Sequence, residues 1–341
     1  MAAFDTQFQS VSVTNFTAFR RLRLEFSSGL NVLIGPNATG KTHLMKLLYA
    51  SAAVSKADAD FADKLVGVFV PHQRRIGRLV TRQQGSAECQ AAIHRPQSKL
   101  TVRFSNHTQP TSKTPPTVTG LQKWRETPIE SAFIPVKEML VGGAQLVALH
   151  RLRELEIEEV YVDMVTRALL PLARGPVDAR RQKLLDTLKR EMRGKVEVVD
   201  DRFFHRSSQG RLEFSLLAEG YRKLGLLWLL IQNRTLLDGS VLFWDEPEAN
   251  LNPSLIGCVI DILLHLQRLG VQVFIATHSH VVLKEIELRR VGTDEVRYAS
   301  FFRGDSDGVQ VETGNALLDL THDKIRDTYI DLLERDLQLS L

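Results

Sequence analysis

The stretch 30-LNVLIGPNATGKTHLMKLL-48 decides the reading of this chain. It opens with five residues of the kind that line a strand buried on both faces. It turns through two glycines and closes on a run with Leu44, Leu47 and Leu48 on one side of a helix. The turn 35-GPNATGKT-42 fits G-x-x-x-x-G-K-[ST] in full and has the context that pattern requires, a strand before and a helix after. Gly35 and Gly40 let the backbone curl so that the N–H groups of the turn, from Gly35 through Pro36, Asn37, Ala38 and Thr39 to Gly40, face a phosphate. The helix from Lys41 adds the positive end of its dipole, about half a charge. Lys41 then reaches the terminal phosphates and Thr42 holds Mg²⁺.

A second stretch, 241-VLFWDEPEANLNP-253, places two adjacent acids, Asp245 and Glu246, after four apolar residues. Burying such charges costs several kcal/mol unless a cation offsets them. A magnesium-bound nucleotide on the 35–42 turn supplies that cation. Asp245 is then a metal ligand acting through water, and Glu246 is free to orient or deprotonate an attacking water, a role worth roughly 10²- to 10⁴-fold in rate. Capping of the next helix explains one acid at this place but not two.

The 341 residues are 43% hydrophobic and 25% charged, the composition of a globular protein that has no need of a lipid solvent. The longest central apolar run, 224-LGLLWLLI-231, is far short of the roughly 20 residues that cross a bilayer. No signal peptide is read at the N-terminus. Two cysteines, Cys89 and Cys258, give neither a disulfide framework nor metal-ligand spacing. The expected location is therefore the cytoplasm, with no membrane partner. The net charge of +4 leans mildly toward polyanions.

Along the chain, strands are expected at 7–14 and 22–34, in an antiparallel patch at 65–70, 77–82, 87–94 and 99–104, and at 131–134, 196–200, 211–216, 241–244 and 271–276. Helices are expected at 41–56, within 145–194 with a break at 171–178, and at about 220–237, 253–269 and 322–335. A hairpin is expected around 304–308, and 105–120 is a polar loop. No internal repeat is present. Buried strands alternating with helices argue for an α/β fold with a mainly parallel sheet.

The order of these pieces resembles that of ABC-type ATPase heads of the SMC, RecF and OLD-like group, a branch of the P-loop NTPases. The segment 14-TNFTAFRRLRLEFSSGLNVLIGPNATGKTHL-44 is similar to that group's opening. The segment 217-LAEGYRKLGLL-227 lies where its signature motif lies, 248-EANLNP-253 resembles its D-loop, and His278 in 276-ATHSH-280 resembles its switch histidine. The resemblance implies a single head over 1–341. An N-terminal lobe (1–140) would carry the phosphate loop, 141–195 would form a helical lid, and 196–341 would carry the remaining motifs. It implies ATP and Mg²⁺ as cofactors and a homodimer or higher oligomer in which each ATP is capped by Gly220 of the opposite copy. It further implies hydrolysis of ATP, with Glu246 and His278 as the catalytic pair. Ala218 and Glu219 stand where the group commonly has Ser and Gly, and 133-FIPVKEML-140 lacks the Gln that usually follows that strand. Lys137 and Glu138 occupy its place without an assigned role.

No sustained heptad interrupts 145–194, which leaves room for about two helices of roughly 30 Å each, and no nuclease domain follows the last strands. A separate effector, a nuclease or toxin of anti-phage defence, is the partner that the resemblance implies. A scaffold that binds ATP with little turnover and a DNA-repair ATPase remain alternatives. The clusters Arg20, Arg21 and Arg23, Arg74, Arg75, Arg78 and Arg82, and Arg180 and Arg181 are read either as a solvated face or as contacts to DNA, a candidate partner.

Overall fold

The computed structural model describes residues 5–153, 156–173, 175, 178–304 and 308–339. In chain order the elements are β1 (Ser10–Phe16), β2 (Phe19–Glu25), β3 (Leu30–Ile34), α1 (Lys41–Ala53), α2 (Phe61–Phe69), β4 (Glu88–Arg95), β5 (Ser98–Ser105), β6 (Thr117–Thr119) and α3 (Leu121–Arg125). Next come β7 (Ser131–Ile134), α4 (Gly143–Arg153), α5 (Glu159–Ala168), α6 (Ala179–Glu191), β8 (Lys195–Val199), β9 (Arg202–Ser207) and β10 (Gly210–Glu213). The chain continues through α7 (Glu219–Gln232), β11 (Val241–Asp245), α8 (Pro253–Arg268), β12 (Gln272–Thr277), α9 (His280–Arg289), β13 (Val296–Arg303), β14 (Val309–Gly314) and α10 (Lys324–Leu339).

Three sheets result. The central one has the order β14-β13-β3-β12-β11-β7 and is parallel except at β14. A five-stranded antiparallel sheet, β2-β1-β4-β5-β6, lies beside it, and β10-β9-β8 form a small third sheet. The central strands are buried on both faces, so alternate side chains enter two different cores. From β11, Leu242 and Trp244 enter one core together with residues of α5 to α9. Val241 and Phe243 enter the other with α1, α2 and the inner face of the antiparallel sheet. The mainly parallel α/β architecture is the one expected. Because β3, β12 and β11 are parallel neighbours, the turns at their carboxyl ends meet on one edge of the sheet, the usual place for a ligand in such folds.

Several expected elements differ. Residues 65–69 belong to helix α2, with Val70 as its C-cap. Asp60 caps it by accepting from the Ala62 amide, and Phe61, Leu65 and Val68 are buried at helical spacing, a period hidden by the local valines. Within 77–82, residues 77–79 belong to a 3₁₀ turn (Ile76–Leu79) in which Gly77 lies under the carbonyls of Ser105, Asn106 and Thr108, and Val80 makes an isolated bridge to Phe16. The 22–34 run divides between two sheets, breaking after Glu25. Three helices, not two, fill 143–191. Strand β9, helices α3 and α9 and strand β6 were not foreseen. No helix among the described residues is long and apolar enough to cross a membrane.

Candidate nucleotide site

The 35–42 turn is held in a shape that its residue types dictate. Gly35 and Gly40 have φ of 139° and 89°, in the left-handed region that favours glycine, and a Cβ at Gly35 would sit 2.2 Å from the carbonyl oxygen of Phe301. Gly40 then serves as the N-cap of α1 without any side-chain cap, so the first-turn N–H groups of the helix face the turn. The Lys41 ammonium folds back over this turn and donates to the carbonyls of Gly35 (2.7 Å) and Pro36 (2.9 Å). Burial lowers its pKa, against the opposing pull of Asp245, Glu246 and Glu248. Those three acids therefore lie within electrostatic reach of the loop lysine.

Asp245 ends β11 and is 4% exposed. Burial pushes its pKa up to about 6, moderated by a hydrogen bond from the Thr42 hydroxyl. The two positions expected to share a metal are thus in contact. A hydroxyl beside an under-compensated buried carboxylate is a hard-oxygen donor set that suits Mg²⁺, which takes one or two protein ligands and completes its shell with phosphate oxygens and water. Among the described residues no cluster of three or more His, Cys, Asp or Glu side chains could hold a metal by itself.

Glu246 has a φ of 49°, a left-handed conformation uncommon outside glycine, and its amide donates to Ala276 of β12. The next strand brings His278 alongside, with its Nδ1 3.3 Å from Glu246 Oε1. Glu248 accepts from the Thr277 hydroxyl at 2.6 Å and from the His278 amide at 3.3 Å, and so ties the 246–250 turn to the 277–279 turn. Asn252 caps α8 by accepting from the Ser254 amide, with Pro253 in the first turn, and this ends the turn sharply.

Gly220 lies elsewhere in emphasis. It is buried in the first turn of α7, where a Cβ would meet Leu251 Cδ2 at 3.0 Å and the Asn250 carbonyl at 3.3 Å. A close helix–turn approach therefore accounts for a glycine there. From the same helix, fully buried Lys223 donates to the Ala249 carbonyl at 2.6 Å, so α7 is pinned to the 246–250 turn.

Other pairings around the site were not read from the sequence. Lys46, one turn beyond Thr42, pairs with Glu158 just before α5 at 2.6 Å, and Tyr161 senses the Asp245 charge. Arg303 donates to the Ala38 carbonyl at 3.3 Å. A cavity of about 530 Å³ beside α1 is lined by Arg20, Arg78, Arg82, Arg303 and His43, side chains spread over more than 280 positions of sequence. Glu138, where a Gln is usual in the resembled group, is ion-paired to Arg222 of α7 at 2.8 Å.

Two family models match parts of the chain. One, described as "AAA domain, putative AbiEii toxin, Type IV TA system", matches residues 148–284. The other, described as an AAA ATPase domain, matches residues 7–92. No curated protein matches the sequence. Among solved structures, an Smc head bound to the C-terminal winged-helix domain of ScpA is similar at 12% identity and a TM-score of 0.57, covering 92% of this chain and 98% of that one. The Smc head with an extended coiled coil from Pyrococcus furiosus, bound to the C-terminal domain of ScpA, is similar at 11% identity and a TM-score of 0.54, covering 96% and 98%. Such low identities speak to fold, and the family models speak to the ATPase class. Together with the strand order and the meeting of the 35–42 turn with Asp245, they support an SMC/RecF-like ABC-type ATPase head for this chain.

Proposed function

We propose that this chain binds ATP with magnesium on the 35–42 turn, closes head to head on a second copy around that ATP, hydrolyses it, and passes the resulting state to a separate effector protein, a nuclease or toxin of anti-phage defence. The observation that carries the reading is the hydrogen bond between Thr42 and buried Asp245, with Lys41 beside them. In this reading Lys41 exchanges the Gly35 and Pro36 carbonyls for the terminal phosphates. Thr42 and Asp245 hold magnesium, which supplies positive charge against the developing negative charge of the phosphoryl oxygens. Glu246, supported by His278, orients the attacking water and takes its proton. The first turn of α7, at Gly220, offers its N–H groups to the phosphate held by the opposite copy. The cavity of arginines beside α1 accommodates the rest of the nucleotide. Loss of the binding energy of two shared ATPs on hydrolysis then reopens the pair.

The toxin–antitoxin wording of the matching family model and the ScpA-bound state of the structural neighbours support an effector partner. A second reading, an ATP-binding scaffold with little turnover that cages its effector, is favoured by the Glu138–Arg222 pair at the place of the usual Gln. The test is Glu246→Gln. Turnover should fall by roughly 10²- to 10⁴-fold in phosphate release. Magnesium-ATP uptake by calorimetry should persist, and dimers should accumulate in light scattering. Normal turnover in this variant removes Glu246 from catalysis. Uptake without turnover in the unmodified chain, alone and with its effector, selects the scaffold.

A further inference from the structure

Helix α10 (Lys324–Leu339) leaves the fold from a built base. Asp323 accepts from the amides of Ile325 at 3.2 Å and Arg326 at 3.1 Å. Glu312 of β14 accepts from the amides of Thr321 at 3.0 Å and His322 at 2.9 Å, and the Ser300 hydroxyl of β13 donates to the His322 carbonyl. Ile325 packs on the core, and the Tyr329 ring stacks on His280 of α9 with centroids 4.3 Å apart. From 328 to 338 every residue is exposed. The root thus sets the direction of the helix, while about three of its turns stand in solvent.

Those turns are amphipathic. Tyr329, Ile330, Leu332, Leu333 and Leu337 are 39–65% exposed. At about 100° per residue, counted from Ile325, they fall within one arc from about −20° to 140°. Asp327, Asp331 and Glu334 lie on the opposite side. Two charges fall inside the apolar arc, Arg326 at about 100° and Asp336 at about 20°. Positions 326, 329, 333 and 336 follow the 3-4-3 spacing of a helix–helix seam, centred on that arc. The seam is basic at one end, acidic at the other and apolar between. It is symmetric about position 331.

We propose that α10 pairs antiparallel with α10 of a second copy of this chain, without nucleotide. A two-fold axis at the height of Asp331 sets Arg326 opposite Asp336 at both ends of the pair and Tyr329 opposite Leu333 between them. Asp331 itself faces solvent on the far side. A parallel pair would instead bring Arg326 to Arg326 and Asp336 to Asp336, and like charges in a seam oppose association. The acidic outer side disfavours an anionic lipid surface, which draws helices with a basic polar face. The contact is isologous, and it is separate from the ATP-held contact of the heads. A four-turn pair is small beside the roughly 1,600 Å² of a standard interface, so the dissociation constant is expected in the micromolar range.

The experiment is sedimentation of the full chain without nucleotide, from about 1 to 100 µM. The unmodified chain should dimerise. R326D makes both charged seam positions acidic, and D336R makes both basic, so each alone should lose at least about tenfold in dimer affinity. An acid in the first turn and a base in the last turn both favour the helix dipole, so neither change weakens the helix itself. Mixed in equal amounts, the two variants place opposite charges at both ends and should recover dimers near the unmodified affinity. Uptake of magnesium-ATP, measured on the same samples, should be the same for all three, so failure of the nucleotide reading is seen separately. A monomer throughout the range overturns the proposal, whether or not the chain floats with phosphatidylglycerol vesicles. So does dimerisation that either variant retains alone, which would place the contact on another face, and so does a mixture that stays monomeric.

Discussion

Neighbouring strands β7 and β11, paired at Ile134–Trp244, each lead to a buried carboxylate, and the two are completed differently. Glu138 follows β7. Its side chain is 1% exposed, and burial raises its pKa, yet the Arg222 guanidinium stands 2.8 Å away and its own turn adds the Leu140 amide. Asp245 ends β11 and among the described residues has the Thr42 hydroxyl as its close partner, while the nearest cations are engaged elsewhere. Lys46 is paired with Glu158, and Lys41 is bonded to loop carbonyls. A carboxylate whose charge the chain itself answers belongs to the architecture. One answered by a hydroxyl beside a phosphate-binding turn belongs to a ligand. The difference also explains why the acid pair at 245–246 points to function, whereas an acid at 138 in place of a Gln does not by itself abolish the site.

The comparison breaks first at Arg222. Arg222→Met leaves Glu138 buried without its cation, and removing one member of a buried pair costs about 3–5 kcal/mol. Urea unfolding should show that loss, and the double change Arg222→Met with Glu138→Met should recover most of it. If the single change is silent in urea but lowers ATP turnover, the pair serves the reaction cycle and the contrast with Asp245 fails.

Asp245→Asn should act in the opposite sense on the free protein. The native carboxyl titrates near 6, against about 3.9 in an unfolded chain. A raised carboxyl pKa favours the native state when protonated, so the unmodified protein loses stability as pH rises from about 4 through 6. Two pKa units amount to about 3 kcal/mol at neutral pH. The amide carries no such slope. Thermal unfolding from pH 4 to 8 without nucleotide should show Asp245→Asn gaining on the parent as pH rises, while its uptake of magnesium-ATP falls on the order of 100-fold. Parallel pH profiles for the two proteins would mean that the Asp245 charge is already answered within the fold.

These contrasts were unequally visible in the sequence. The 35–42 turn and the 245–246 acids were legible because each is a contiguous pattern whose chemistry follows from neighbours in the chain. That they meet was legible only through the strand–helix alternation, which put β3 and β11 in one parallel sheet. The reading of His278 as a site residue came from resemblance, since a lone His at a strand end has many uses, and its contact with Glu246 came only with the structure. The Glu138–Arg222 pair was invisible, because pairing across 84 positions leaves no local trace, and the arginine clusters were visible but not their meeting with Arg303 around the α1 cavity. Helix α2 was misread because Val66, Val68 and Val70 give a strand-like period of two inside a helix that Asp60 caps.

A third carboxylate, Glu248, lies between the two cases and gives the smallest effect. It accepts from the Thr277 hydroxyl and the His278 amide, and it acts on Lys41 of the phosphate turn through its charge. The Thr277 hydroxyl in turn accepts from the Ser279 amide at 3.0 Å. Thr277→Val keeps the shape and removes the hydroxyl, at a cost of about 1 kcal/mol in stability. The turn carrying His278 loses its tie to the 246–250 turn, while Lys41, Thr42 and Asp245 keep their partners. Turnover should therefore fall a few-fold with KM for ATP nearly unchanged, the signature of a group that matters for the reacting geometry more than for binding. A rise in KM at constant kcat would place the Glu248 turn in nucleotide binding and class Glu248 with Asp245 after all.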